Sequence, residues 1–137
     1  MAISLEQVGT PEPLWRSAFL VPLEVTPLDD GINWRVDESY DFESAILDDI
    51  ITVPAGFVTD FASIPRAFWC VLWPTGKYAK AAVIHDYLYR TKGKATKVQA
   101  DLVFLEAMQV LGVSRLVQRI MYQAVHRFGF SSYHGGL

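Results

Sequence analysis

Chemistry is most concentrated in the stretch AAVIHDYLYR, residues 81 to 90. A helical repeat puts Ala81, Ala82, Leu88 and Tyr89 on one side, with His85 in the middle of it. A titratable ring therefore lies on the face that should be buried. Further on, Asp101 has Val98 three positions before it and Phe104, Leu105 and Met108 three, four and seven after it, so it also falls on an apolar face. An imidazole meeting a carboxylate in an apolar seam is how a general base is oriented. The acid accepts one ring N–H, which fixes the tautomer and leaves the other nitrogen to take a proton. The same pair can instead be a structural cross-link between helices. Asp86 follows about 100° round the helix, at the edge of the apolar stripe. It reads as a solvated or capping carboxylate, as an oxygen ligand for a divalent metal beside the pair, or as an anchor for the segment GFVTDFASIPR.

A second candidate lies in GFVTDFASIPR, where Phe57, Val58 and Phe61 bracket Thr59 and Asp60. Loops at strand-to-helix junctions hold functional groups on rigid supports. Asp60 is a candidate metal ligand, against the plainer reading that it caps the following helix or pairs with Arg66. Ser63 offers a hydroxyl at a helix N-terminus, where anions are favoured, but it lacks the Gly-x-Ser-x-Gly elbow of a nucleophile. Lys77, Lys80, Arg90, Lys92, Lys94 and Lys97 gather near the helix ends. They form either a solvated rim or a surface for anionic lipid or phosphate. His126 and His134 have no phased carboxylate partner and read as structural or surface residues.

The elements that must position these groups come in two blocks. Residues 1–17 form an irregular arm anchored by Leu14 and Trp15. AFLVPLEVTPL reads as an edge or interrupted strand, because its prolines cannot donate to a ladder. Asp29-Asp30-Gly31 signals a turn. INWRVDESYDF then alternates, with Ile32, Trp34 and Val36 on one face, and pairs as a hairpin with its predecessor. IITVPAGFVTDF gives a short strand, a Pro-Ala-Gly turn and a second extended piece. The period then becomes helical: SIPRAFWCVLWP, capped by Ser63 and closed by Pro74; a helix ending near Gly93; one from Thr96 to Gly112; and one from Ser114 to Gly129. The short TKGKAT connection makes the middle two an antiparallel pair, and this brings His85 within reach of Asp101. The expected class is α+β in a single domain, residues 1–137. About four short antiparallel strands (18–60) precede a bundle of three or four helices (62–129) and a tail (130–137).

Bulk properties narrow the function. At 137 residues, 51% hydrophobic and 13% aromatic, the chain can build a core without staples. Fifteen acids against twelve bases give a net charge of -3, which is no electrostatic footprint for nucleic acid. The lone Cys70 excludes an internal disulfide framework and a Cys-based zinc site. MAISLEQVGTPEP has no basic and apolar signal regions. The run FWCVLWP is far short of the roughly 20 residues of a spanning helix.

Two resemblances attach to these motifs. ITVPAGFVTDFASIPR, YAKAAVIHDYLYR, ADLVFLEAM and MYQAVHRFG, in that order, resemble the small phage- and prophage-encoded family known as domain of unknown function 1353. That resemblance implies bacteriophage origin and synthesis in a host's cytoplasm but no established activity; the partners are either phage structural proteins, with incorporation in the virion, or a lipid or envelope substrate. Locally, a helix with AAxxHDxxY followed by one with ADxxF is similar to the core of phospholipase A2. This likeness implies that His85 is the general base for a water, that Asp101 orients it and that Tyr89 braces Asp101. It further implies that Asp86 binds calcium, which polarises the ester. The glycine-rich calcium loop of that family has no counterpart, since only Gly56 lies in the candidate loop, and Asp60 would have to substitute. The expected function is ester hydrolysis on lipid or envelope material. The alternative is a non-enzymatic tail, baseplate or assembly component that docks through Trp15, Trp34, Phe130 and Tyr133.

Overall fold

The computed structural model describes residues 17–59 and 77–128. The expected arm, the SIPRAFWCVLWP helix, the tail, and Asp60, Ser63, Arg66, Trp15, Cys70, Phe130, Tyr133 and His134 lie outside the described residues. Strands come first and helices follow, so the class is α+β. Among the described residues there are six short strands: β1 (Ala18–Phe19), β2 (Val25–Pro27), β3 (Trp34–Val36), β4 (Tyr40–Ser44), β5 (Asp49–Val53) and β6 (Val58–Thr59). Three helices follow: α1 (Lys77–Arg90), α2 (Lys97–Val110) and α3 (Arg115–Phe128).

The strands form two three-stranded antiparallel sheets, ordered β1-β4-β5 and β2-β3-β6. The expected hairpin is present, with Val25 opposite Val36 and Pro27 opposite Trp34. Its turn is tied by Asp30, whose Oδ1 accepts from Ile32 N and Asn33 N, both at 2.9 Å. INWRVDESYDF is not one strand, however. It breaks after Val36, and β4 joins the other sheet, where Tyr40 opposes Val53 and Phe42 opposes Ile51. Those four residues are buried on the shared inner face, while Ile50 remains exposed. Ile32 is also exposed, and Trp34 is half-buried against the core instead of presenting a docking surface.

The helix boundaries follow local chemistry. Thr96 caps α2: its Oγ1 accepts from Gln99 N, and Gln99 Oε1 accepts from Thr96 N in return. At the other end Gly112 takes φ +73°, and Val113 N donates to Met108 O at 3.1 Å. This closure needs a left-handed residue that glycine supplies cheaply. The segment from α1 to α3 thus folds back on itself twice, α2 lies against both neighbours, and α1 also packs on β5 and β6.

The amphipathic reading of α1 needs correction. Ala81 through Asp86 are all buried, as are Leu88 and Tyr89, so α1 is a central helix covered on nearly every side. In α2 the buried set is Lys97, Ala100, Asp101, Val103, Phe104, Glu106, Ala107 and Met108, whereas Val98 is 54% exposed. The face carrying Asp101 is real but rotated relative to the expected stripe.

Candidate functional site

The antiparallel α1–α2 pair does bring His85 to Asp101. Nε2 of the ring lies 2.9 Å from Asp101 Oδ1, and both side chains are fully buried. The imidazole packs against the rings of Tyr89, at 4.0 Å between centroids, and Phe104, at 4.8 Å. Tyr89 is four residues beyond His85, one turn along α1, and its hydroxyl also donates to Asp101 Oδ1. Tyr89 and Asp101, paired in the expectation from the phospholipase likeness, are thus in contact.

The second carboxylate oxygen is held by a residue placed wrongly from the sequence. Lys97, expected in a solvated rim, is only 8% exposed. Its Nζ donates to Asp101 Oδ2 at 2.9 Å, to Val125 O at 3.2 Å and to His126 O at 2.9 Å. Three donors meet three acceptors, and the cation sits at the C-terminal end of α3, where the helix dipole favours it. The sequence did carry a signal for this contact, since Lys97 stands four residues before Asp101 on one helix. His126 also proves to approach Asp101, with Nδ1 at 3.7 Å from Oδ2 from a side chain 48% exposed. No local pattern announces that contact, because it spans two helices.

The electrostatics follow from these partners. Burial alone would push the Asp101 carboxyl up, but hydrogen bonds from His85, Tyr89 and Lys97 together outweigh it and hold the group below the usual carboxylate range. Asp101 is thus an anion at neutral pH. Burial also pushes His85 down from 6.5, against the opposing pull of Asp101 and Asp86. The ring is therefore neutral at neutral pH. With an anion at Oδ1, Nε2 carries the proton and Nδ1 is the acceptor nitrogen of the ring.

Asp86 turns away from this centre toward β6. It is 1% exposed, accepts a hydrogen bond from Thr59 and lies 3.3 Å from Arg90. Burial raises its carboxyl above the usual range despite both partners. Arg90 also donates to Val58 O at 2.6 Å and lies over the Phe57 ring, so it clamps β6 to α1. A divalent ion at Asp86 would have to displace that guanidinium. Among the described residues no cluster of three or more His, Cys, Asp and Glu offers a metal-ligand set.

A third carboxylate, that of Glu106, is buried without any signal in the sequence. Glu106 on α2 accepts from Ser17 Oγ at 2.5 Å, Ser44 Oγ at 2.7 Å, Ala45 N at 2.7 Å and Ile46 N at 3.2 Å. It ties α2 to β1 and to the β4–β5 turn. Every oxygen of the group is used by the fold, which marks it as an anchor.

Residues 34–125 match a family described as a protein of unknown function (DUF1353). The chain belongs to this family. A relative in Sinorhizobium fredii (strain NBRC 101917 / NGR234), "Uncharacterized protein y4jT", is 39% identical over 79 residues, which cover 56% of this chain and 23% of the relative. The chain thus spans under a quarter of that relative's length. No solved structure matches the chain. The family segment runs from β3 into α3 and so contains His85, Asp86, Tyr89, Lys97, Asp101 and Glu106. Among the described residues no helix is long and apolar enough to cross a membrane.

Proposed function

We propose that this protein is an ester hydrolase in which His85 is the general base and Asp101 orients it. The observation that carries the reading is the 2.9 Å Nε2–Oδ1 contact to a carboxylate that Tyr89 and Lys97 keep ionised. A neutral imidazole with its proton fixed on Nε2 can accept a proton from water at Nδ1, and the resulting imidazolium is stabilised by the adjacent anion. The water oxygen then attacks the ester carbonyl, and His85 returns the proton to the departing alkoxide. The substrate class is lipid or envelope ester, the class that the phospholipase likeness of AAxxHDxxY and ADxxF implies. The setting is a phage-infected bacterial host. His85 has no exposed surface, so turnover requires a movement that opens the seam above it.

That complete burial favours a second reading, a non-enzymatic phage component whose His85–Asp101–Lys97 network locks three helices together. Purified protein assayed on phosphatidylglycerol vesicles and on a chromogenic short-chain ester, with and without divalent ions, separates the two. The hydrolase reading expects turnover that is lost in His85→Gln, with circular dichroism showing a retained fold. Absence of turnover by the native chain under all these conditions refutes it and leaves the lock.

A further inference from the structure

We propose that the helical half of this protein is a docking surface for an anionic lipid bilayer. The net charge of -3 conceals a sharp segregation of charge. Among the described residues before α1, acids run from Glu24 to Asp49 and Arg35 is the one base. From α1 onward the acids are Asp86, Asp101 and Glu106, and all three are buried. The bases Arg90, Lys92, Lys94, Arg115, Arg119 and Arg127 are exposed. The described surface of the helices therefore shows cations and no exposed carboxylate. The folding process internalised every acid of that half to anchor helices, and this is why the pattern is invisible in the overall balance.

The occupant follows from what lies among these bases. On α3, Arg115 and Arg119 are neighbours four residues apart, Leu116 and Ile120, 67% and 41% exposed, stand beside them, and Arg127 lies two turns beyond Arg119 on the side of Leu116 and Ile120. Guanidinium groups pair bidentately with phosphate oxygens. Exposed aliphatic side chains beside them gain when they enter the boundary between headgroups and acyl chains. A nucleic-acid backbone would satisfy the arginines but would offer nothing to Leu116 and Ile120. The acidic strand half, repelled by the same surface, would orient the molecule with α3 toward the bilayer. The inference rests on the distribution of charge and holds whether or not the His85–Asp101 pair is catalytic.

Co-sedimentation of the full chain with vesicles tests it. Vesicles of phosphatidylcholine alone are compared with equal mixtures of phosphatidylcholine and phosphatidylglycerol, at low and high salt. Binding is expected only to the anionic vesicles and should weaken with salt. The double variant Arg115→Gln/Arg119→Gln should lose about thirty-fold in partition coefficient, at the usual contribution per basic residue. Leu116→Ser/Ile120→Ser should weaken binding with the salt dependence retained. Arg35→Gln, in the strand half, should leave binding unchanged. All these residues are surface-exposed, and the fold of each variant is checked by circular dichroism. No binding by the native chain, equal binding to neutral vesicles, or retention by the α3 variants overturns the proposal. Tighter binding to duplex DNA than to anionic vesicles also overturns it, in favour of a nucleic-acid surface.

Discussion

Replacing Asp101 with Asn tests whether one carboxylate holds the helical half together. The side chain keeps its shape but loses its charge, and one of its two acceptors becomes an N–H₂ donor. Either Lys97 Nζ or the His85–Tyr89 pair then faces a donor instead of an acceptor. Lys97 is nearly buried, so its charge would lose the carboxylate and keep the neutral carbonyls of Val125 and His126. Removing one member of a buried ion pair typically costs about 3–5 kcal/mol, because the remaining charge stays desolvated. Against a usual total of about 5–15 kcal/mol for a domain, the variant should fold but unfold at markedly lower urea. The assay is equilibrium urea unfolding at neutral pH, and an unchanged m-value shows that the midpoint shift is a stability change. The companion double variant Lys97→Met/Asp101→Asn removes the stranded cation and should recover part of the loss, with a coupling of about 1–3 kcal/mol. A loss under about 1 kcal/mol in Asp101→Asn, or strict additivity in the double variant, would refute the reasoning.

Stability should fall as pH drops from 7.5 to 5.5, because the unfolded His85 ring binds a proton below its ordinary 6.5 while the folded ring resists it. In His85→Gln the slope of unfolding free energy with pH over that window should shrink. Asp101 acts in a lower window: its folded carboxyl is depressed, so its contribution is present above 3.8 and disappears as pH falls through the lower folded value. Asp86 has the opposite sign, being raised by burial, so its contribution is full below 3.8 and is lost as pH rises through the folded value. Asp86→Asn, which keeps an acceptor for Thr59 and gives up only a contact to a 43% exposed Arg90, should change neutral-pH stability by less than about 1 kcal/mol. Urea midpoints at neutral pH check this. Glu106→Ala strands the buried Ser17 and Ser44 hydroxyls and the N–H groups of Ala45 and Ile46. It should cost about 3 kcal/mol or more, and faster amide exchange in the β4–β5 turn would locate the damage.

What the sequence by itself determined is what one turn of chain can encode. The Thr96 capping box, the Gly112 stop and the β2–β3 hairpin each depend on residues a few positions apart. The meeting of His85 with Asp101 was also legible, because helical pitch and a short connection convert spacing into depth along an antiparallel pair. Other features were decided only by tertiary packing. The break between β3 and β4 sends adjacent strands to different sheets, a choice that depends on what each inner face finds to cover it. The burial of α1 on nearly every side, the inward turn of Lys97 and the use of Glu106 as an anchor all require partners dozens of residues away. A periodic pattern shows that a face is apolar but not how many neighbours will cover the helix. Nor does a charge count reveal which charges end inside. The basic surface of the helical half exists because three carboxylates were drawn into hydrogen-bonded interiors while the bases stayed in water. That partition is a property of the folded chain.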